Sequence, residues 1–539
     1  MKKILLILFI CAVGMKIKSQ VIDSTFGIPT SLDPCCIVYS TTGCNFGGFE
    51  QAFLTVHMDD GRIILAGDTR WQGESDFAIA RLMPDGQYDQ TAGPDGQVRI
   101  DLDYPNDSCF AATRYQNDRI LMGGCVWKPG IGYVNLIARI DFDGNLDASF
   151  GNGGHLTIDL PVAHEMITKI LSQTDGKILV GDHAFYGPSF DFPDSVDVFV
   201  GRLLPNGQVD STFGENGFFY HRWERRCNVA LLGDLSLDKQ GRIVLTGGSY
   251  DPYPCNYDGD DWCYHNIFLS RYLSDGQPDV AFGIKGSLEL EYTRNGRGSA
   301  LLHYDDGRIL LAGAAGEPNG RLAYVFLARF MPDGTPDPSF ADNGRFRKPI
   351  IFEGLISGGM VEPFGLLRMR DRILVMGLYE INGDPIGVGA ICLKENGEFD
   401  LSFGNGGRFN AFPELLLSRA YFNQISTTNN NNFFFSGYTR ILQPNNMVIV
   451  KVRWDQTSNT QEYSVFSEIK IYPNPARETL YWQGLPIGQE ARVQLWDLHG
   501  RLVYEDVSSR AETRLPAGLP SGIYVARLLD AAAGRVLHV

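Results

Sequence analysis

Four features are scarce in this 539-residue chain, and each scarcity narrows what it can do. Basic clusters are missing: 47 Lys and Arg stand against 63 Asp and Glu, the formal charge is −16, and no basic run exceeds a few residues. Phosphate backbones are held by Lys/Arg clusters, so nucleic acid and anionic membrane surfaces are not expected partners. Beyond the first twenty positions no stretch approaches the roughly 20 apolar residues of a membrane helix, so no transmembrane segment is expected in the mature chain. No Cys-x-x-Cys pair occurs, which argues against zinc. Neither His-Glu-x-x-His nor Gly-x-Ser-x-Gly occurs, and the nine histidines are scattered, so no catalytic residue stands out and an enzyme is not the first expectation.

What is present suits a turn-rich, folded β protein: 44% hydrophobic residues, 12% aromatics, 61 Gly and 27 Pro. The length allows about two to four domains and a large core. The opening "MKKILLILFICAVGMKIKSQ" has a basic start at Lys2 and Lys3, an apolar run from Ile4 to Met15 and a polar end at Ser19 and Gln20, the pattern of a secretory signal peptide over 1–19. Phe9 and Ile10 before Cys11 do not suit lipidation. Nine cysteines remain after Cys11 leaves, an odd number in an oxidising compartment. Spacing suggests disulfides joining Cys109 to Cys125, Cys255 to Cys263, and Cys44 to Cys35 or Cys36, with Cys392 as a buried free thiol and Cys227 a less clear candidate.

A repeat organises the chain. The segments "DGRIILAG" (60–67), "NDRILMGG" (117–124), "DGKILVGD" (175–182), "QGRIVLTGG" (240–248), "DGRILLAG" (306–313), "RDRILVMG" (370–377) and "NNNFFFSG" (430–437) align, each a polar turn feeding a short β-rich run. Another apolar run precedes each and a third follows, such as "FAIARL" or "VFLARF", and a fourth comes after a Phe-Gly motif in most units. Four short strands at a period of about 60 residues fit a propeller blade, and seven copies give seven blades. Unit seven stops at "VIVKVRWD" (448–455) without its Phe-Gly strand, while the mature N-terminus opens on "VIDSTFG" (21–27). The N-terminal strand is therefore expected to complete the last blade, which removes an open edge. On these motifs, residues 20–456 resemble the delta-60 family of β-propeller repeats, found in secreted and surface bacterial proteins. Departures sit at Ala92, where Phe is expected, and in unit seven, which has lost the Asp-Gly turn.

One copy, "DFDGNLDASFG" (141–151), has the look of a calcium loop, with acids at Asp141, Asp143 and Asp147. Opposite Asp141 the other copies carry Met83, Leu204, Leu273, Met331 and Lys394. What recurs is Asp or Asn before Gly, the dipeptide of a tight turn, and an Asp three residues before Phe-Gly. Recurrence in a slot set by topology favours a structural role; recruitment of Asp141 to a local cation site is the alternative.

Function is sought where units differ, because loops on a rigid scaffold carry it. Units three and four insert "DHAFYGPSFDFPDSVD" (182–197) and "SYDPYPCNYDGDDWCYHN" (249–266). Phe185, Tyr186, Phe190, Tyr253, Tyr257 and Trp262 are the candidate ligand-binding residues, since rings beside carboxylates suit a glycan or peptide; the alternative is that they pack the loops. Asp258, Asp260 and Asp261 are a candidate calcium cluster, set against a solvated loop tip.

After the linker 457–467 the composition shifts. Residues 468–539 read as a small Ig-like β-sandwich, and Tyr472, Pro473, Asn474, Pro475, the "DLHGRLV" hairpin with Gly500, and "LPSGIYVARL" with Gly522 and Tyr524 resemble the type A sorting domain of the type IX secretion system. The resemblance implies outer-membrane export, with the translocon and sorting machinery as partners. The overall expectation is an all-β chain, a seven-bladed β-propeller plus a C-terminal sandwich, secreted or surface-attached, binding a glycan or a surface protein. The alternatives are a polysaccharide hydrolase or lyase with a dispersed site, and a purely structural coat protein.

Overall fold

The computed structural model describes residues 5–7, 20–22, 50–454 apart from 72–73, 94–95, 105, 117, 159–165, 187–194, 223–228, 251–265, 291–293, 317–321, 349, 351–358, 370, 382–383, 404–405, 411–419, 430–431 and 440–445, and then 470–472, 479–483, 491–497, 502–508, 512–515, 523–530 and 536–538. Every regular element among them is a strand. Seven four-stranded antiparallel blades follow in chain order. Blade one is Glu50–His57, Ile63–Trp71, Glu74–Leu82 and Gln97–Ile100; blade two is Asp107–Tyr115, Arg119–Lys128, Gly132–Asp141 and His155–Ile158. Blade three is Lys169–Ser172, Ile178–Tyr186, Ser195–Leu203 and Phe218–His221; blade four is Val229–Leu237, Ile243–Tyr250, Asn266–Tyr272 and Ser287–Leu290. Blade five is Arg294–His303, Ile309–Gly316, Leu322–Phe330 and Arg345–Lys348; blade six is Gly359–Met369, Arg372–Ile381, Asp384–Lys394 and Arg408–Asn410. Blade seven takes three strands from its own repeat, Ala420–Asn429, Asn432–Thr439 and Asn446–Trp454, and its fourth, Gln20–Ile22, from the other end of the chain.

Closure is physical as well as topological. First strands of successive blades touch all the way round, including blade seven against blade one, so they form the inner ring. Period-2 alternation sends odd and even residues of each second strand to different neighbours. Ile64 and Ala66 of blade one join Ile120 and Met122 of blade two in one core cluster, whereas Ile63 and Leu65 join Phe434 and Ile449 of blade seven in another. Each blade is thus apolar on both faces and cannot bury itself alone, so the sheets stabilise one another as a ring.

The repeated acids hold the blades together. In blades one to five a third-strand arginine, Arg81, Arg139, Arg202, Arg271 or Arg329, meets the Asp eight residues on, Asp89, Asp147, Asp210, Asp279 or Asp337, at 2.7–2.9 Å. A second cation from the start of the second strand, Arg62, Arg119, Lys177, Arg242 or Arg308, reaches the same carboxylate at 3.0–3.5 Å. The third-strand guanidinium also donates across to the next blade, to the carbonyl oxygens of Phe142, Pro205, Ser274, Pro332 and Glu395 in turn. Beside it, the N–H of Gly151, Gly214, Gly283 or Ala341 donates at 2.7–2.9 Å to the carbonyl of Asn206, Asp275, Asp333 or Asn396, the Asx of the next blade's turn. The aromatic of the Phe-Gly motif lies under the arginine, as with Phe282, 4.4 Å below Arg271. A buried cation is tolerable only when paired and hydrogen-bonded, and each of these five is.

Blade six departs: Cys392 occupies the arginine position, and among the described residues Arg372 is the one cation on Asp400, at 2.6 Å. Its neighbour departs as well: the sequence after blade seven's third strand has no Asx-Gly pair, and that blade takes its fourth strand from the N-terminus.

The cysteines correct one expectation. Cys109 and Cys125 are both buried and unlinked. Ser108 pairs with Cys125 and Cys109 with Gly124, which puts the two thiols on opposite faces of blade two, and no disulfide can join them. Cys392 is a buried free thiol as expected. Cys35, Cys36, Cys44, Cys227, Cys255 and Cys263 lie outside the described residues.

The C-terminal region forms two sheets. Thr479–Gln483 lies between Lys470–Tyr472 and Glu512–Arg514; Ala491–Asp497 lies between Leu502–Ser508 and Ile523–Asp530, which also pairs with Val536–His538 and, in parallel, with Leu5–Ile7.

Candidate functional site

The calcium-like stretch resolves into turn chemistry. One oxygen of Asp141 accepts the N–H groups of Asp143 and Asn145, both at 2.9 Å, and the other accepts the Asn145 amide at 3.0 Å. Asp147 accepts the N–H and hydroxyl of Ser149 at 3.1 and 2.6 Å through one oxygen and spends the other on Arg119 and Arg139. Burial would raise the Asp147 carboxyl, but the Ser149 donors and Arg139 outweigh it and bring it down to about 2. Asp143 pairs with Arg81 of blade one. Every acid of the motif therefore has a structural partner. A cavity of about 350 Å³ opens at this same seam, lined by Arg139, Asp147 and Asn206 among others.

Strand direction sorts the remaining candidates. Turns joining strands one to two and three to four lie at one end of the ring; connections from strand two to three and from blade to blade lie at the other, the loop end. Tyr186 is at the loop end, half-buried, at the close of its strand. Phe185, its neighbour, points the opposite way, is 9% exposed and packs on Val196 and Leu231. Phe190, Tyr253, Tyr257 and Trp262 lie outside the described residues, as do Asp258, Asp260 and Asp261. In the C-terminal region Tyr472 pairs in register with Tyr481 and Tyr524 with Asp497, while Pro473, Asn474, Pro475, Gly500 and Gly522 lie outside the described residues.

Around Tyr186 blade three assembles a polar and aromatic group. The exposed Arg222 donates through Nε to the buried Asp197 at 2.7 Å and its guanidinium lies 5.9 Å from the Tyr186 ring and 5.8 Å from the Tyr220 ring. Among the described residues of this end, blade two carries the large exposed rings: Trp127 and Tyr133, 47% and 44% exposed, meet edge to face at 5.1 Å on either side of Pro129, Gly130 and Ile131. Loop length alone did not point to them; the clue in the sequence is a Pro-Gly turn flanked by Trp and Tyr.

Several buried titratable groups are held neutral. Burial raises Asp68 to about 8, and burial with the Asp76 carboxylate beside it raises Asp107 to about 8. Asp107 is fully buried and accepts the Phe77 N–H of blade one at 2.9 Å. Burial lowers His57, His183 and His221 to about 4, and each is engaged in an inter-strand bond: His57 with Ser426, His183 with the Leu232 N–H, His221 with the Tyr272 hydroxyl.

Residues 59–91 and 305–340 match the model of a β-propeller domain of unknown function, DUF5122, and residues 470–536 match the secretion system C-terminal sorting domain. The chain thus carries a propeller of that kind and a sorting domain that marks it for export through the type IX secretion system to the cell surface or extracellular space. No curated protein matches it. Among solved structures it is similar to a protein of unknown function from Dyadobacter fermentans, at 12% identity, 81% of this chain, 98% of that chain and a TM-score of 0.35. It is also similar to an ulvan lyase of polysaccharide lyase family 25, at 10% identity, 82% and 95% coverage and a TM-score of 0.43. A xyloglucanase from Xanthomonas campestris gives 10% identity, 92% and 60% coverage and a TM-score of 0.40.

Proposed function

We propose that this chain is a binding module rather than an enzyme, a rigid propeller carried to the cell surface by its sorting domain and engaging a glycan or a surface protein through the loop end. The observation that carries this reading is the segregation of chemistry along the ring axis. One end is consumed by repeated turn and ion-pair geometry, while the other carries exposed rings beside an exposed guanidinium and a buried carboxylate. Such a mixture suits recognition, in which apolar faces supply contact area and a few placed polar groups supply orientation.

The test uses the full chain on arrays of surface glycans and on outer-surface protein preparations, repeated after shortening 187–194 and 251–265. Binding that is lost with the loop end intact elsewhere supports the reading; turnover of a polysaccharide would replace it with a hydrolase or lyase. For export, truncation at Gln456 should leave the propeller in the periplasm, and unchanged surface display would overturn the role given to the C-terminal domain.

A further inference from the structure

Register and alternation bring two half-sites together. In blade two, Trp127 pairs with Tyr133, and two steps down the strand Cys125 pairs with Asn135 on the same face. That face looks at blade three, because Leu121 and Ile137 on it share a core with Ile178, Val180 and Phe199. In blade three, Tyr186 has the parity of Val180, Asp197 that of Phe199, and Tyr220 pairs directly with Phe199, so all three look back at blade two. Arg222 is tied to Asp197 on that side. Just below the rings the Ile167 N–H, leading into blade three, donates to the Gly124 carbonyl of blade two at 3.4 Å, so the two blades meet there.

The geometry points to a carbohydrate subsite in the cleft between blades two and three, formed by Trp127, Tyr133, Tyr186, Tyr220, Asp197 and Arg222, that takes an oligosaccharide of neutral hexopyranose units. This rests on the binding role proposed above and names its site and ligand class. Apolar C–H faces of a pyranose stack on exposed rings, and stacking is the contribution that Trp127 and Tyr133 offer in water. Adjacent hydroxyls need a donor and an acceptor side by side; the Arg222–Asp197 pair, 2.7 Å apart, presents both with no net charge. The Arg222–Asp197 pair offers no net positive charge and the chain as a whole carries −16, so a polyanionic sugar is disfavoured and neutrality is the electrostatic match. Six side chains make a small patch, which suits a sugar chain rather than the roughly 800 Å² per partner that a stable protein interface covers.

The experiment titrates the full chain with gluco-, manno- and galacto-hexasaccharides and with a hexagalacturonate, followed by calorimetry and tryptophan fluorescence. At least one neutral hexasaccharide should bind; W127A and R222M should each weaken it ten-fold or more, W127A without moving the melting temperature and R222M with a lowered one because the buried Asp197 loses its cation, while L401A at the opposite end should leave it unchanged. Preference for the hexagalacturonate, or affinity indifferent to both W127A and R222M, would overturn the subsite. If neutral-sugar binding survives both variants but is lost on shortening 187–194, this cleft is wrong and the broader binding role stands. Silence toward every sugar and every surface protein removes both.

Discussion

At the turn end of the ring five buried arginines repeat one geometry, each joined to an aspartate on its own blade and a carbonyl on the next. At the loop end no two blades carry the same residues: Asp68, Cys125, His183, Gly248, Ala314 and Leu378 occupy equivalent positions. The contrast extends to proton binding. Turn-end carboxylates are pulled down, Asp210 to about 2 because the Thr212 donors, Lys177 and Arg202 outweigh the burial that would raise it. Loop-end carboxylates are pushed up, Asp68 and Asp107 to about 8, by burial. The difference teaches that burial alone does not set the sign; the partners waiting in the buried place do.

The two ends should therefore fail in opposite ways. Removing one partner of a buried pair gives the largest expected effect: Arg271→Met leaves Asp279 buried without its closest cation and should cost about 3–5 kcal/mol in denaturant unfolding. A loss under 1 kcal/mol would show that the seam does not hold the ring. Next comes Asp107→Asn, which keeps an acceptor for the Phe77 N–H and replaces a carboxyl the fold prefers neutral. A carboxyl raised from its ordinary 3.8 to about 8 contributes stability that is fully present below about pH 4 and lost as pH rises toward 8. The variant should match the parent at pH 4 and exceed it by roughly 2–4 kcal/mol at pH 8; equal stability at both values would sink the idea. Turn-end acids predict the reverse window, a contribution present above about pH 4 and lost as pH falls through about 2.

Smaller still is Gly207→Ala. Gly207 sits at φ +91° with its missing Cβ only 2.5 Å from Leu156 of blade two, so a methyl group is opposed by both backbone and neighbour, and a cost of about 1–3 kcal/mol is expected. Gly130, at φ +82° in the blade-two hairpin, has nothing within 4 Å, and Ala there should cost less than at Gly207. Smallest is Trp127→Ala, expected within about 0.5 kcal/mol of the parent because the ring is exposed. A large destabilisation would mean that the ring serves packing rather than recognition.

Much of the frame was legible in the residues. Seven blades, the borrowed N-terminal strand, the Asx-Gly turns and the capping Asp are local or recurrent features, and recurrence separates a structural acid from a ligand. The arginine partner was visible as well, in "FAIARL", "NLIARI", "VFVGRL", "IFLSRY" and "VFLARF", eight residues before each Asp. Its role was not, because an arginine inside an apolar run does not say which blade it will reach. Cys109 and Cys125 were misjudged for the same reason: their separation in sequence is compatible with a hairpin bridge, and only the pairing of Ser108 with Cys125 shows the thiols pointing apart.

What the sequence by itself determined is the repeat and its consequences: a β-rich unit of about 60 residues copied seven times, apolar on alternating positions, closed by its own two ends and followed by a sorting domain. What only the tertiary structure decided is company. Alternation assigns each side chain to a face, but a face acquires a neighbour only when the blades pack, and that step set Phe185 into the core, put Tyr186 on the side facing blade two and left Trp127 exposed on the side facing blade three.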